Sequence, residues 1–99
     1  MELDYTVTSS RTFDEAVDAV TAAAPEHDFK VQYTHDLAAA LTKKGFERGP
    51  LKIIEVCNAK NASAVLEQDV KIALMLPCPI VVYEEDGEVF VSTLRASMM

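Results

Sequence analysis

The amino-terminal residues alternate: Leu3, Tyr5 and Val7 are apolar, and Glu2, Asp4, Thr6 and Thr8 around them are polar. A period of two predicts a strand with one buried and one wet face. Thr12-Phe-Asp-Glu15 then reads as a capping box, in which the threonine hydroxyl takes a free backbone N–H and the glutamate reaches back. Behind it Phe13, Ala16, Val17, Val20, Ala23 and Ala24 recur at helical spacing and form one apolar stripe. Pro25 has no N–H for the helical ladder, so this helix is expected to stop by Ala24.

Phe29, Val31 and Tyr33 alternate with Lys30, Gln32 and Thr34, which predicts a second strand with one wet face. Asp36 is placed to cap a short helix over Leu37–Lys44, with Lys43 and Lys44 at its negative end and Gly45 suited to the left-handed residue beyond it. Leu51–Cys57 is a denser strand. Its adjacent Ile53 and Ile54 make both faces apolar, as in a central strand. Asn58 is expected to cap a helix from Ala59 to Gln68 that turns Ala62, Val65 and Leu66 inward. Val70–Leu76 fits either an extension of that helix or an apolar connector. Pro77-Cys78-Pro79 removes two backbone donors, so the strand it leads into, Ile80–Tyr83, is expected to begin at an edge or a bulge. Glu85-Asp86-Gly87 is a hairpin turn, Glu88–Arg95 returns antiparallel, and the last four residues are expected to fray.

The order β-α-β-α-β-α-β-β is an α+β pattern over a single domain, residues 1–99: a five-stranded, largely antiparallel or mixed sheet with helices packed mainly on one face. The other face then carries Ile53 or Ile54 and one of the pairs Val81/Tyr83 or Ile80/Val82. An apolar face of that kind predicts an interface, and so a homodimer, with covering loops as the alternative.

Composition narrows the function. Hydrophobic residues make up 49% of the chain and charged residues 25%, a globular balance. Sixteen acidic residues against nine basic ones give a net charge of −7, and the basic residues are scattered, which argues against nucleic-acid or anionic-membrane partners. No apolar run approaches the roughly 20 residues a membrane-spanning helix needs. MELDYTVTSS has neither a basic start nor an apolar core, so no signal peptide and a cytoplasmic location are expected. Two cysteines, 21 positions apart, do not make a disulfide framework, and both are expected to be reduced.

From Leu51-Lys-Ile-Ile-Glu-Val-Cys57-Asn58, through the helix bearing Ala62 and Leu66, to Leu76-Pro77-Cys78, Ile80-Val-Val-Tyr-Glu84 and the Gly87 hairpin, the chain resembles domain of unknown function family 302. Weaker similarity in the leading strand and helix extends the resemblance over nearly the whole chain. Val56-Cys57-Asn58 and Leu76-Pro77-Cys78 at this separation are its most specific signature. Ala59 departs from the proline usual after the asparagine, which loosens the helix start without breaking the match. The resemblance implies a small α+β domain, related to the TATA-binding-protein-like folds and often dimeric, with no established activity.

The candidate chemistry lies around those cysteines. Cys57 ends the third strand and Cys78 begins the fourth, so both thiols are expected near one rim of the sheet, with Glu55 on the side-chain face of Cys57. Glu55, Cys57, Asn58 and Cys78 are the ligand-binding candidates, and Cys57 with Cys78 is the candidate pair for a soft metal, a haem or a sulfur species. Structural zinc needs four ligands, which two thiols meet only across a symmetric dimer. The competing accounts are cysteines that pack as small hydrophobes in a dimeric interaction module, and a thiol-redox pair. Asn58 serves either as a plain helix cap or to orient a species held by Cys57.

His27 and His35 read as solvated surface residues, and Glu84, Glu85, Asp86 and Glu88 as a solvated acidic turn. No serine lies in a nucleophile-elbow context, and Gly45, Gly49 and Gly87 build no phosphate loop. A small-ligand or metal-binding dimer is therefore the reading the sequence favours over an enzyme.

Overall fold

The computed structural model describes residues 4–71 and 78–94. Its elements follow the expected order: β1 (Asp4–Ser9), α1 (Phe13–Glu26), β2 (Lys30–Asp36), α2 (Leu37–Thr42), β3 (Leu51–Cys57), α3 (Ala59–Gln68), β4 (Cys78–Glu85) and β5 (Glu88–Leu94). The five strands form one sheet in the order β1-β5-β4-β3-β2, with every neighbouring pair antiparallel. The expected apolar connector lies largely outside the described residues, as do Leu76, Pro77 and residues 95–99, which include the last four, expected to fray.

Local chemistry sets the helix ends. Thr12 and Glu15 make the reciprocal box, with Thr12 N–H donating to Glu15 Oε1 at 3.0 Å and Glu15 N–H to Thr12 Oγ1 at 3.2 Å. Pro25 does not end α1 at Ala24; it sits inside the last turn, and the helix runs on to Glu26. A proline this close to the end removes one ladder bond. The chain then closes through His27 and Phe29 N–H groups on the Ala24 carbonyl, while Asp28 turns left-handed at φ 63°. Asp36 caps α2 through Ala39 N–H at 2.9 Å, and Gly45 takes φ 89° just beyond it. This helix ends at Thr42, two residues short of the expected Lys44.

Residues paired across an antiparallel sheet share a face, so the register assigns every strand side chain to a side. On one face lie Ile54, Val56, Cys78, Ile80, Val82, Val89 and Val91, and α1 packs there across β2 to β5. Ala16, Val17 and Ala24 of the predicted stripe close on Ile54, Val56, Val82 and Val89 as the buried core, with Phe13 and Val20 packed around it. Tyr5 and Val7 share this face on the outermost strand, where they stay 60% and 43% exposed.

Two registers differ from expectation. Pro79 lies within β4, a central strand, and not at a sheet edge. The reason is local: among the described residues β4 pairs with β5 only from Ile80 onward, so Pro79 has a register partner on the β3 side alone. In β2 the register slips between Val31 and Tyr33, a bulge at Gln32. Val31 consequently faces the core opposite Val56, whereas Tyr33 and His35 turn to the other side, opposite Glu55 and Ile53. The uninterrupted alternation read from the sequence had put Val31 and Tyr33 on one face.

Candidate functional site

The face turned away from α1 carries Leu51, Ile53, Val81, Tyr83 and Phe90, all half-buried. Tyr83 and Phe90 stack across β4 and β5 with ring centroids 5.4 Å apart. Polar groups flank this apolar middle on both sides. Towards β1, the Thr6 and Ser92 hydroxyls are 2.7 Å apart, and Ser92 Oγ lies 3.4 Å from the Tyr83 hydroxyl. Towards β2, His35 Nε2 donates to Glu55 Oε1 at 3.0 Å, and the Tyr33 ring lies 4.5 Å from the His35 ring.

Of the residues singled out in the sequence, Glu55 and Cys57 lie together on this open face, two positions apart on β3. Asn58 follows at the cap position of α3, its carbonyl accepting Ala62 N–H at 2.8 Å. Cys78 reaches the same rim, but strand alternation separates the thiols. Cys78 is register partner to Val56 and packs on the core, so its side chain and that of Cys57 leave opposite faces of the sheet. Both are free thiols. Among the described residues no three His, Cys, Asp or Glu side chains are grouped to hold a metal ion.

His35 is solvent-accessible as expected, its side chain 44% exposed, but its place beside Glu55 was not legible in the sequence, because the bulge at Gln32 that brings it there has no sequence signature of its own. Its distance from Cys57 also bears on the chemistry. His35 faces Ile53, four residues before Cys57, a separation of about 13 Å along a strand that rises about 3.3 Å per residue. One small ion does not bridge them; a ligand touching both is extended.

The model of the family described as "Domain of unknown function DUF302" matches residues 5–99. The chain belongs to this family. Its fold is shared with the crystal structure of an uncharacterized conserved DUF302 protein from Bacillus stearothermophilus. The two align with a TM-score of 0.93 and 28% sequence identity, over 99% of this chain and 77% of that one. No curated protein matches the chain. In this DUF302 domain no described helix is long and apolar enough to cross a membrane.

Burial raises the pKa of the Cys78 thiol above its ordinary value, and the nearby Cys57 adds to the shift. A raised pKa leaves less thiolate at any pH below it, and thiolate is the reactive species. Alkylation of Cys78 by iodoacetamide, followed by peptide mass spectrometry, should therefore accelerate only above the pH at which a free cysteine does, about 8.5. Cys57→Ser, which removes the smaller cause, should move that profile part of the way down. A Cys78 profile matching free cysteine would contradict both causes.

Proposed function

We propose that this DUF302 domain is a homodimeric binding module that holds a small organic ligand on the open sheet face, along β3 from His35 to Cys57. The observation that carries this reading is the His35–Glu55 pair at 3.0 Å, set beside a half-buried apolar wall. Glu55 accepts the hydrogen bond from Nε2–H, which leaves Nδ1 as the polar ring atom free to meet a ligand. A ligand with an apolar body and a hydrogen-bond donor near one end fits Ile53, Val81 and His35, and its far end reaches Cys57. Cys78, on the core side, belongs to the packing in this account.

The continuous apolar stretch Leu51, Ile53, Val81, Tyr83 and Phe90 favours a second reading, in which two copies bury this face against each other and the cysteines only pack. Native mass spectrometry of protein purified without oxygen or chelator, with a thiol count on the same sample, separates the two. The ligand reading expects a dimer carrying a stoichiometric extra mass, lost in Cys57→Ser and in His35→Ala while both variants stay folded. Retention of that mass by both variants would sink it. A bare dimer with two shielded thiols supports the second reading, and a bare monomer contradicts both.

A further inference from the structure

We propose that the cleft bounded by the first turn of α1, by α2 and by the start of β3 is a binding site for a small zwitterion of the α-amino-acid type. The open cleft has a volume of about 380 Å³ and is lined by two carboxylates, Asp14 and Asp36, by two cations, Arg48 and Lys52, and by the apolar Phe13. It lies at the opposite end of β3 from Cys57, so it is distinct from the open-face site.

The informative feature is a pair that has not closed. Asp36 and Lys52 are directly opposed register partners on one face of the sheet, where opposite charges ordinarily meet. Here the Asp36 carboxylate turns to the Ala39 N–H at 2.9 Å, and the Lys52 ammonium lies 5.9 Å from the centre of the Phe13 ring. Among the described residues no ion pair joins either of them, Asp14 or Arg48 to an opposite charge, although acidic groups outnumber basic ones sixteen to nine. Arg48 donates its Nε–H to the Gly49 carbonyl at 3.4 Å and also lines the cleft.

The four charges line one open cleft and sum to zero, which selects among ligand classes. A simple anion meets Asp14 and Asp36 as well as the cations, and a simple amine meets Arg48 and Lys52. Only a ligand with both charges answers both pairs. Its carboxylate faces Lys52 and Arg48, its ammonium faces Asp36 and Asp14, and an aliphatic side chain rests on Phe13. The volume falls at the small-metabolite end of ligand pockets, which run from roughly 300 to 1,000 Å³.

The test uses leucine and its two half-ligands, 4-methylpentanoate without the amine and 3-methylbutylamine without the carboxylate. Each is titrated into the ¹⁵N-labelled full chain at millimolar concentrations while backbone amide shifts are followed. Leucine is expected to give saturable shifts at Asp14, Ala39 and Lys52, and each half-ligand to bind about tenfold more weakly, the equivalent of about 1.4 kcal/mol. Asp36→Asn keeps the α2 cap, because asparagine caps as well as aspartate, and should weaken leucine by about the same factor. The proposal fails if leucine leaves those amides unmoved, if 4-methylpentanoate binds as tightly as leucine, or if Asp36→Asn makes no difference. None of these outcomes bears on the open-face site, whose amides lie elsewhere on the sheet.

Discussion

Ile54→Ala is expected to lower the free energy of unfolding by about 3 kcal/mol, within the 2–5 kcal/mol typical of buried isoleucine-to-alanine changes. Ile54 is 0% exposed, at the centre of a core whose other members come from α1, β3, β4 and β5. Truncation removes its transfer free energy and leaves a cavity beneath Ala16 and Val17, which belong to a helix and follow the gap only in part. Domains of this size have only roughly 5–15 kcal/mol in total, so the loss is a large share. The melting temperature should fall by roughly 12–24 °C, at about 4–8 °C per kcal/mol. Urea unfolding monitored by circular dichroism measures the change, with Ile53→Ala as its companion. Ile53 is next in the chain but on the half-buried open face, and its truncation should cost about 1 kcal/mol. A larger loss at Ile53 than at Ile54 would invert the assignment of the two faces.

Val82→Asp should abolish folding, whereas Val81→Asp should not. Val82 is 0% exposed and sits within the core cluster, so the aspartate there is an unpaired carboxylate out of water. Such a group costs several kcal/mol even after the protein relaxes around it, comparable with the whole stability of the domain. The residue beside it points the other way. Val81 faces Ile53 and Ser92 on the open side, where a carboxylate keeps contact with water, and the cost should stay within about 1 kcal/mol. Circular dichroism and soluble yield decide the first variant, and urea unfolding the second. The second outcome also informs the function. If Val81→Asp were to unfold as completely as Val82→Asp, the open face would be part of an obligatory dimer core, and the ligand reading would lose the surface it needs.

These expectations rest on how alternation distributes side chains, and alternation is where sequence and structure part company. The apolar stripe of α1, the Thr12–Glu15 box, the Asp36 cap, the Asp86-Gly87 hairpin with φ of 52° and 79°, and the central place of β3 were all legible in the chain. Each depends on residues within a few positions of one another, or on a run dense enough to need cover on both sides. That Glu55 and Cys57 share a face is likewise fixed by a spacing of two.

Tertiary structure decided the rest. Which isoleucine enters the core is symmetric in the sequence, and the side to which α1 docks breaks the symmetry in favour of Ile54. Cys57 and Cys78 come to one rim because β3 and β4 pair, but the register that sets Cys78 opposite Val56 sends the thiols to opposite faces. His35 meets Glu55 only because one extra residue in β2 reverses the facing of everything after it. A one-residue slip flips a strand's side chains, and the partner strand's pairing determines where the slip is taken up. Local sequence thus determined which segments become strands and helices. The pairing between distant segments chose which side chains meet, because register and docking side are properties of two segments together.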